Sequence, residues 1–447
     1  MPSVSSVVSL SFVRLHRMRK LIVAALILLV FGGAFAQDDD PAEQRVRELA
    51  KAIVEKPHLD ADAFTKSFLA AVPTTRLEPV FADMFAKGGK VVSVKRLSGD
   101  RLQGKFELEQ EKGERSEVSI GVEKTAPHRI ASLWLKPLGV AARSLGELET
   151  ELRKLPGKVS FAVARLSSRV TTLASVEPDE PLAIGSSFKL YVLGKLVDDV
   201  NQAKRRWSDV VTLRPECRSL PSGSLQTWPE DAPVTLHTLA SLMISVSDNT
   251  ATDNLIATLG RERVERQLEV MGNARPSRST PFLETGDMFR LKWGKKENAP
   301  RWLEGDLPKK RALLAEIEKE PLPDVAGIAA SEPTLISEIE WFASAHDLVR
   351  ALVWLRDATV HDQVGRGVLA INNGGMDASA WKWVGFKGGS EPGVLELAWL
   401  LQRKDGEWFS VCCGWNDPKA AVETTKLAGI ALRAIELISK PHESHAY

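Results

Sequence analysis

The chain has 447 residues, which is more than one typical domain holds, so its length predicts two domains. Charged residues make up 26% of the chain and hydrophobic residues 44%, as in an ordinary soluble globular protein. The formal net charge is only +1, so nothing in the composition points to nucleic acid or to an anionic membrane surface as a partner.

Residues 1–36 have the pattern of a secretory signal peptide. Four basic residues precede an unbroken apolar run at 21–31, and Ala34-Phe35-Ala36 offers an Ala-x-Ala cleavage site. The run is short for a spanning helix, so an uncleaved anchor is the less favoured alternative. We expect a secreted or periplasmic protein that has no stable membrane anchor after signal cleavage.

Cysteine and histidine usage argues against a disulfide framework and a zinc hydrolase. Three cysteines leave two alternatives, one bridge from Cys217 or free buried thiols, since Cys412 and Cys413 are adjacent. The eight histidines include no His-x-His or His-Glu-x-x-His spacing. We therefore predict no metal and no other cofactor.

Residues 37–137 predict a small α+β domain. Helical periodicity covers 43–55, 61–71 and 77–87, and alternating strand-like runs cover 90–97, 102–110, 116–122 and 130–135. Helices on one face of an antiparallel sheet are the simplest arrangement of these elements. No cluster of titratable residues here indicates catalysis, so a structural or substrate-shaping module is the favoured interpretation.

Residues 138–447 predict a second domain with strands at both ends and helices between them. A helix at 145–155 and a hairpin at 158–166 and 170–176 come first, and the region 205–368 is mainly helical. Strands follow at 384–387, 394–402 and 408–414, before a closing helix at 420–439. One sheet assembled from distant segments, with an inserted helical lobe, would place an active site in the cleft between them.

A serine followed by a lysine marks the start of one helix in this domain. Ser186 and Lys189 are three residues apart and share a helix face, so the hydroxyl and the amine can meet. A desolvated amine can take the proton of a serine nucleophile. The pattern alone is weak, because Ser379 and Lys382 have the same spacing and because two polar residues suit any helix start.

Two further motifs follow in order along the chain. Ser247-Asp248-Asn249 separates two helical patterns, where cap and turn chemistry is an alternative explanation. The run 387–390, Lys-Gly-Gly-Ser, ends a short strand and could be a glycine turn beside a solvated lysine. Each explanation is plausible for one motif, but the ordered set of three is specific.

Ser-x-x-Lys, Ser-Asp-Asn and Lys-x-Gly, in this order, form the motif set of class A β-lactamases and penicillin-binding proteins. The chain therefore resembles the serine β-lactamase and penicillin-recognising superfamily over roughly residues 141–440. The serine at 379 fails on order, because it follows Ser247 and directly precedes Lys387. The resemblance implies an antiparallel sheet flanked by helices, with an additional helical lobe.

The resemblance also implies a role for each matched residue in the first two motifs. Ser186 would be the acylated nucleophile, and Lys189 would take its proton or orient its hydroxyl. Ser247 would relay a proton to the leaving group, and Asn249 would bind a substrate amide.

In the third motif, Lys387 would attract a substrate carboxylate and Ser390 would hydrogen-bond it. The backbone N–H groups of Ser186 and Ser390 would form the oxyanion hole. Glycine at 388 and Gly389 would let the substrate lie against the strand edge, with no Cβ between them.

Two departures from the family pattern concern substrate binding and deacylation. Gly388 stands where the family usually has threonine or serine, so one hydroxyl contact is missing. Class A enzymes activate the deacylating water with a loop glutamate in a Glu-x-x-Leu-Asn setting, which residues 275–292 lack. Glu284 and Asp287 are candidates by position, with a solvated loop carboxylate as the favoured alternative. Without a placed base, a long-lived acyl-enzyme is expected.

The two-domain layout is similar to that of the β-lactamase-like fusion protein of clavulanic acid biosynthesis. That protein joins a steroid-isomerase-like (NTF2-like) N-terminal fold to this catalytic fold and also carries Lys-x-Gly-Ser. The similarity favours ester or weak β-lactam hydrolysis over robust antibiotic resistance. We predict a secreted serine hydrolase of a small-molecule β-lactam, amide or ester. The alternatives are an esterase, a D,D-peptidase acting on peptidoglycan-like peptides, and a penicillin-recognising sensor with little turnover.

Overall fold

The computed structural model describes residues 40–140, 142–219, 222–324 and 332–440, so the predicted signal peptide lies outside the described residues. The α-helices of this part of the chain, α1 to α14, are Pro41–Lys51, Lys66–Ala71, Thr74–Gly88, Leu145–Leu152, Lys189–Asn201, Leu236–Ser245, Asn249–Leu259, Arg261–Val270, Thr285–Trp293, Asn298–Glu304, Leu307–Ile317, Ala345–Ala358, Gln363–Leu369 and Thr424–Ile438. The strands, β1 to β13, are Val91–Gly99, Gln103–Gln110, Glu114–Val122, Ile130–Val140, Lys158–Leu166, Val170–Val176, Leu182–Ala183, Val210–Thr212, Pro233–Thr235, Phe342–Ala343, Trp381–Glu391, Val394–Arg403 and Trp408–Asn416. Within the described ranges, no helix combines the length and the apolar character that crossing a bilayer requires.

The N-terminal module consists of α1 to α3 and a four-stranded antiparallel meander in the order β1-β2-β3-β4. Its helices and strands share a separate apolar core that includes Val46, Phe81 and Phe106. Strand β4 packs against the C-terminal helix α14, and Arg115 of β3 hydrogen-bonds Glu107 of β2 and Glu436 of α14. The strands predicted for this region are present, and so are its helices, except that the pattern at 61–71 forms a 3-10 turn and a shorter helix. The likeness to a steroid isomerase stays a prediction.

The second sheet is five-stranded and antiparallel, in the order β11-β12-β13-β5-β6. Its strands come from both ends of the predicted domain, and the helical segments lie between them in sequence, as predicted. Alternate residues of β5 point to opposite faces, since Phe161 belongs to the core under α4 and α14 while Ala162 belongs to the core under α5 and α12. Both faces are covered at the centre of the sheet, which is why β12, β13 and β5 are mostly apolar and buried.

Strand β11 forms one edge of this sheet, and that edge runs past the turn that carries Ser186. The turn follows β7, which pairs with β10 through Ala183 and Phe342. Three helices, α9 to α11, lie between α8 and β10 in sequence and form part of the helical lobe. The site is therefore bounded by the edge of the sheet on one side and by the lobe on the other.

The cysteines are free and buried. Cys217 lies outside the sheet, and Cys412 and Cys413 point to opposite faces of β13. Of the two alternatives open from the sequence, the structure has the free buried thiols.

Candidate active site

Ser186 lies in a short 3-10 turn, Gly185–Phe188, which leads directly into α5. Gly185 has φ of +45°, and a Cβ there would lie 2.9 Å from the backbone N of Ser390. A Cβ on Gly389 would lie 2.5 Å from the backbone N of Ser186. Glycine is needed at both positions because β11 and the turn approach at backbone distance. The two N–H groups predicted for the oxyanion hole are thereby brought side by side.

Lys189 is fully buried at the start of α5 and contacts the Ser-Asp-Asn motif. Its Nζ donates to the Ser247 backbone O at 2.7 Å, to Ser247 Oγ at 3.0 Å and to Asn249 Oδ1 at 2.6 Å. Burial, assisted by the nearby charge of Lys387, holds the pKa of Lys189 well below its usual range. Burial therefore favours loss of a proton from Lys189, while its three hydrogen bonds to oxygen acceptors are those of an ammonium donor. The predicted direct contact with Ser186 Oγ is replaced by the contacts to Ser247 and Asn249.

Lys387 reaches the same hydroxyl from β11. Its Nζ donates to Ser247 Oγ at 3.1 Å, and its burial lowers its pKa to about 7. Ser247 Oγ thus lies between two buried amines. A hydroxyl in this position can accept a proton from one amine and donate a proton to another group.

The backbone around Ser247 is held in an uncommon conformation. Ser247 has φ of +58°, a value that costs a non-glycine residue energy and persists only where its surroundings enforce it. Ser222 Oγ donates to the Ser247 carbonyl at 2.7 Å. Asp248 caps α7 by accepting from Ala251 N at 2.8 Å, and it also accepts from Ser224 N at 2.7 Å. These bonds fix the Ser247 hydroxyl between the two lysines.

A cavity of about 770 Å³ opens beside this group. Five of the predicted site residues line it, namely Ser186, Ser247, Asn249, Gly389 and Ser390. Met288, Phe289 and Trp293 of α9 provide an apolar wall. The motif residues are therefore brought together at one concave site large enough for a small-molecule substrate.

Glu284 and Asp287, the two loop candidates for a water-activating base, cap the N-terminus of α9. Arg261 pairs with Glu284 Oε1 at 3.2 Å and with Asp287 Oδ2 at 2.6 Å. Burial raises the pKa of Glu284 well above its usual range. Neither carboxylate is among the residues that line the cavity. The structure therefore gives both side chains a structural role in this cap.

The neighbouring Thr285 does line the cavity, although no sequence motif pointed to it. Asp253 of α7 holds it by accepting from Thr285 N at 2.8 Å and Thr285 Oγ1 at 2.8 Å. Burial raises the pKa of Asp253 to about 6. Asp253 thus ties α9 to the helix that follows the Ser-Asp-Asn motif.

Further cavity residues missed by the sequence come from the chain before β10 and from the end of β11. They are Glu340, Trp341 and Glu391. Trp341 stacks on Phe188 with ring centroids 3.7 Å apart, and its Nε1 donates to the Leu283 carbonyl at 3.0 Å. Buried Lys292 of α9 contacts both glutamates. Among the described residues, no group of three or more His, Cys, Asp or Glu side chains could hold a metal ion.

Comparison with known proteins supports the resemblance that the motifs predict. Residues 144–353 match the model of the Beta-lactamase enzyme family, a range that includes Ser186, Lys189, Ser247 and Asn249 but ends before Lys387. A search of curated proteins found no match.

Solved structures give matches of low sequence identity. A β-lactamase from Sphaerobacter thermophilus is 18% identical, covers 66% of this chain and 95% of its own, and has a TM-score of 0.45. PBP-A is 17% identical, covers 65% of this chain and 95% of its own, and has a TM-score of 0.43. A β-lactamase from Francisella tularensis is 14% identical, covers 66% of this chain and 98% of its own, and has a TM-score of 0.45.

Proposed function

We propose that this chain, whose residues 144–353 match the Beta-lactamase enzyme family, is a serine hydrolase that forms an acyl-enzyme on Ser186. Its substrate would be a β-lactam or a related amide or ester. The observation that carries the proposal is the position of Ser247 Oγ, 3.0 Å from Lys189 Nζ and 3.1 Å from Lys387 Nζ, in a cavity that Ser186 lines.

Acylation needs a base for the nucleophile and an acid for the leaving group. Ser186 Oγ would attack the substrate carbonyl carbon while its proton passes to Lys189, whose amine would have to be deprotonated and to turn from Asn249 towards Ser186 for this step. The carbonyl oxygen would accept hydrogen bonds from the N–H groups of Ser186 and Ser390. As the carbon–nitrogen or carbon–oxygen bond breaks, Ser247 would give its proton to the leaving atom and regain one from Lys189.

In this proposal, Lys387 favours substrates that carry a carboxylate on the leaving-group side. Its protonated amine would attract a substrate carboxylate, and the exposed hydroxyl of Ser390 would donate to it. Gly388 supplies no hydroxyl, so this carboxylate contact is weaker than a threonine or serine there would give. This set of contacts favours slow hydrolysis of a β-lactam or an ester over the fast hydrolysis that robust antibiotic resistance requires.

A penicillin-recognising protein that releases its acyl group slowly is the second candidate. It is favoured by the position of Glu284, which pairs with Arg261 and caps α9. Without that carboxylate in the cavity, water would attack the ester on Ser186 with little assistance. The N-terminal pattern of residues 1–36 supports the further proposal that the protein is secreted or periplasmic.

Hydrolysis of a chromogenic cephalosporin by the purified protein and by its Ser186→Ala variant tests the proposal. We expect turnover, or a single burst, that the variant lacks. The variant should keep its unfolding temperature, because it loses only one hydroxyl. Equal turnover by both proteins would remove Ser186 from the mechanism.

A further inference from the structure

A second cluster of buried charged side chains, Lys292 with Glu340 and Glu391, borders the same cavity at the end of β11. Lys292 Nζ lies 2.5 Å from Glu391 Oε1 and 3.4 Å from Glu340 Oε1. The side chains are 0%, 9% and 1% exposed for Lys292, Glu391 and Glu340. Glu340 and Glu391 both line the cavity that holds Ser186.

The cluster contains two carboxyl groups and one lysine, so one negative charge would stay unbalanced if both acids were ionised. Glu391 Oε2 is buried and has no hydrogen-bond partner among the described residues. Burial and the neighbouring Glu340 raise the pKa of Glu391 to about 8, so this carboxyl keeps a proton at neutral pH. The proton on Glu391 thus neutralises a charge that a second cation could neutralise instead.

The position of the cluster relative to Ser186 follows from the strand. Successive side chains of β11 alternate between faces, so Glu391 shares a face with Gly389, which approaches the backbone of Ser186. Two residues of a strand span about 7 Å. The leaving group lies towards Ser247 and Lys387 in the proposed reaction, so the substituent on the acyl side lies towards Glu391.

We propose that Glu391 and Glu340 form a subsite for an ammonium group on the acyl part of the substrate, a subsite that presupposes the proposed acyl-enzyme on Ser186. The preferred substrates are then β-lactams, amides or esters with a primary amine next to the acyl carbonyl. The incoming ammonium takes the place of the proton that Glu391 releases to solvent. The rings of Trp341 and Trp293, which line the same cavity, add a surface on which a cation is stabilised.

Ampicillin and benzylpenicillin provide a matched test, because they differ only by one amino group on the acyl substituent. Time courses of intact mass give the acylation rate constant of the protein with each compound. A charged hydrogen-bonded contact predicts a preference for ampicillin of about tenfold in the wild type. Glu391→Gln should reduce this ratio towards one. Glu338→Gln is the matched control, since Glu338 is exposed and two residues from Glu340, and it should leave the ratio unchanged.

The wild-type ratio keeps the test decisive even if Glu391→Gln does not fold. Equal rates for the two penicillins, with both adducts on Ser186, would overturn the ammonium subsite and leave the proposed function standing. If neither penicillin reacts, the p-nitrophenyl esters of phenylglycine and phenylacetic acid provide the same comparison. No adduct on Ser186 with any of the four compounds would overturn the proposed function and the subsite together.

Discussion

Buried lysines at two places beside one cavity have opposite electrostatic surroundings. Lys189 and Lys387 share a serine hydroxyl and donate to neutral oxygens, and burial lowers the pKa of each. Lys292 is equally buried but lies against Glu340 and Glu391. Burial alone therefore does not make a lysine a base. An amine gives up its proton readily where its nearest partners carry no charge, and it acts as a counter-ion where they are carboxylates.

Lys189→Met tests the first half of this comparison and has the largest expected effect. Loss of a positioned base should slow acylation of Ser186 by about 10²- to 10⁴-fold. The free energy of unfolding should fall by about 1–3 kcal/mol, because the Ser247 and Asn249 oxygens lose their buried hydrogen-bond donor. Acylation kinetics and thermal unfolding measure the two quantities. Lys382→Met, which alters the exposed lysine of the second Ser-x-x-Lys sequence, should leave both unchanged.

Lys292→Met tests the second half. Lys292 contacts the two buried acids Glu340 and Glu391, and its removal leaves them without this cation, so the fold should be destabilised by about 3–5 kcal/mol even though Glu391 already keeps a proton. Denaturant unfolding measures this free energy. The double variant Lys292→Met, Glu391→Gln should lose less than the single variant, because one of the unpaired acids is gone. A single variant as stable as the wild type would show that the pair is not a counter-ion arrangement.

The pH dependence of kcat/KM should distinguish the role of Lys387 from that of Lys189. A pKa of about 7 means that Lys387 loses its charge as the pH rises through 7, and with it the attraction for a substrate carboxylate. Burial also lowers the pKa of Lys189, which favours its base form. We expect kcat/KM for a carboxylate substrate to fall above pH 7, by up to about tenfold per pH unit. A neutral p-nitrophenyl ester should lack this fall, and the same fall for both substrates would assign it to another group.

Glu284→Gln should have the smallest effect. Glutamine can still accept hydrogen bonds at the start of α9, so the loss of stability should be at most about 1 kcal/mol. The rate constants for acylation and deacylation of Ser186 should stay unchanged, because Glu284 is paired with Arg261 and is not among the residues that line the cavity. Stopped-flow kinetics with a chromogenic cephalosporin separates the two steps. Intact acylation with slowed deacylation would restore Glu284 as the water-activating base.

The fold was largely predictable because its elements have strong local patterns. The strands Lys158–Leu166 and Val170–Val176 have the predicted bounds, since alternation and turn residues define both ends. Strand β11 is longer than its predicted core of 384–387, because glycines at its end look like turn residues yet pair with β12. The predicted helix 61–71 is a 3-10 turn at Ala61–Ala63 followed by Lys66–Ala71.

The site was predictable only where it follows a motif. Ser186, Lys189, Ser247 and Lys387 were found from spacing and order, although the partner of Lys189 was not. Glu340 and Glu391 belong to no sequence motif. They meet Lys292 of α9 only in the folded chain. Such contacts between distant residues depend on tertiary structure, which no local pattern encodes.

The position of the covalent adduct after brief reaction with benzylpenicillin identifies the nucleophile. Peptide mass mapping of the acid-quenched protein should place the added penicilloyl mass on the peptide that contains Ser186. The Ser186→Ala variant, folded to the same thermal stability, should carry no adduct. An adduct of the same yield in that variant, or an adduct on another residue of the wild type, would contradict the assignment of Ser186 as the nucleophile.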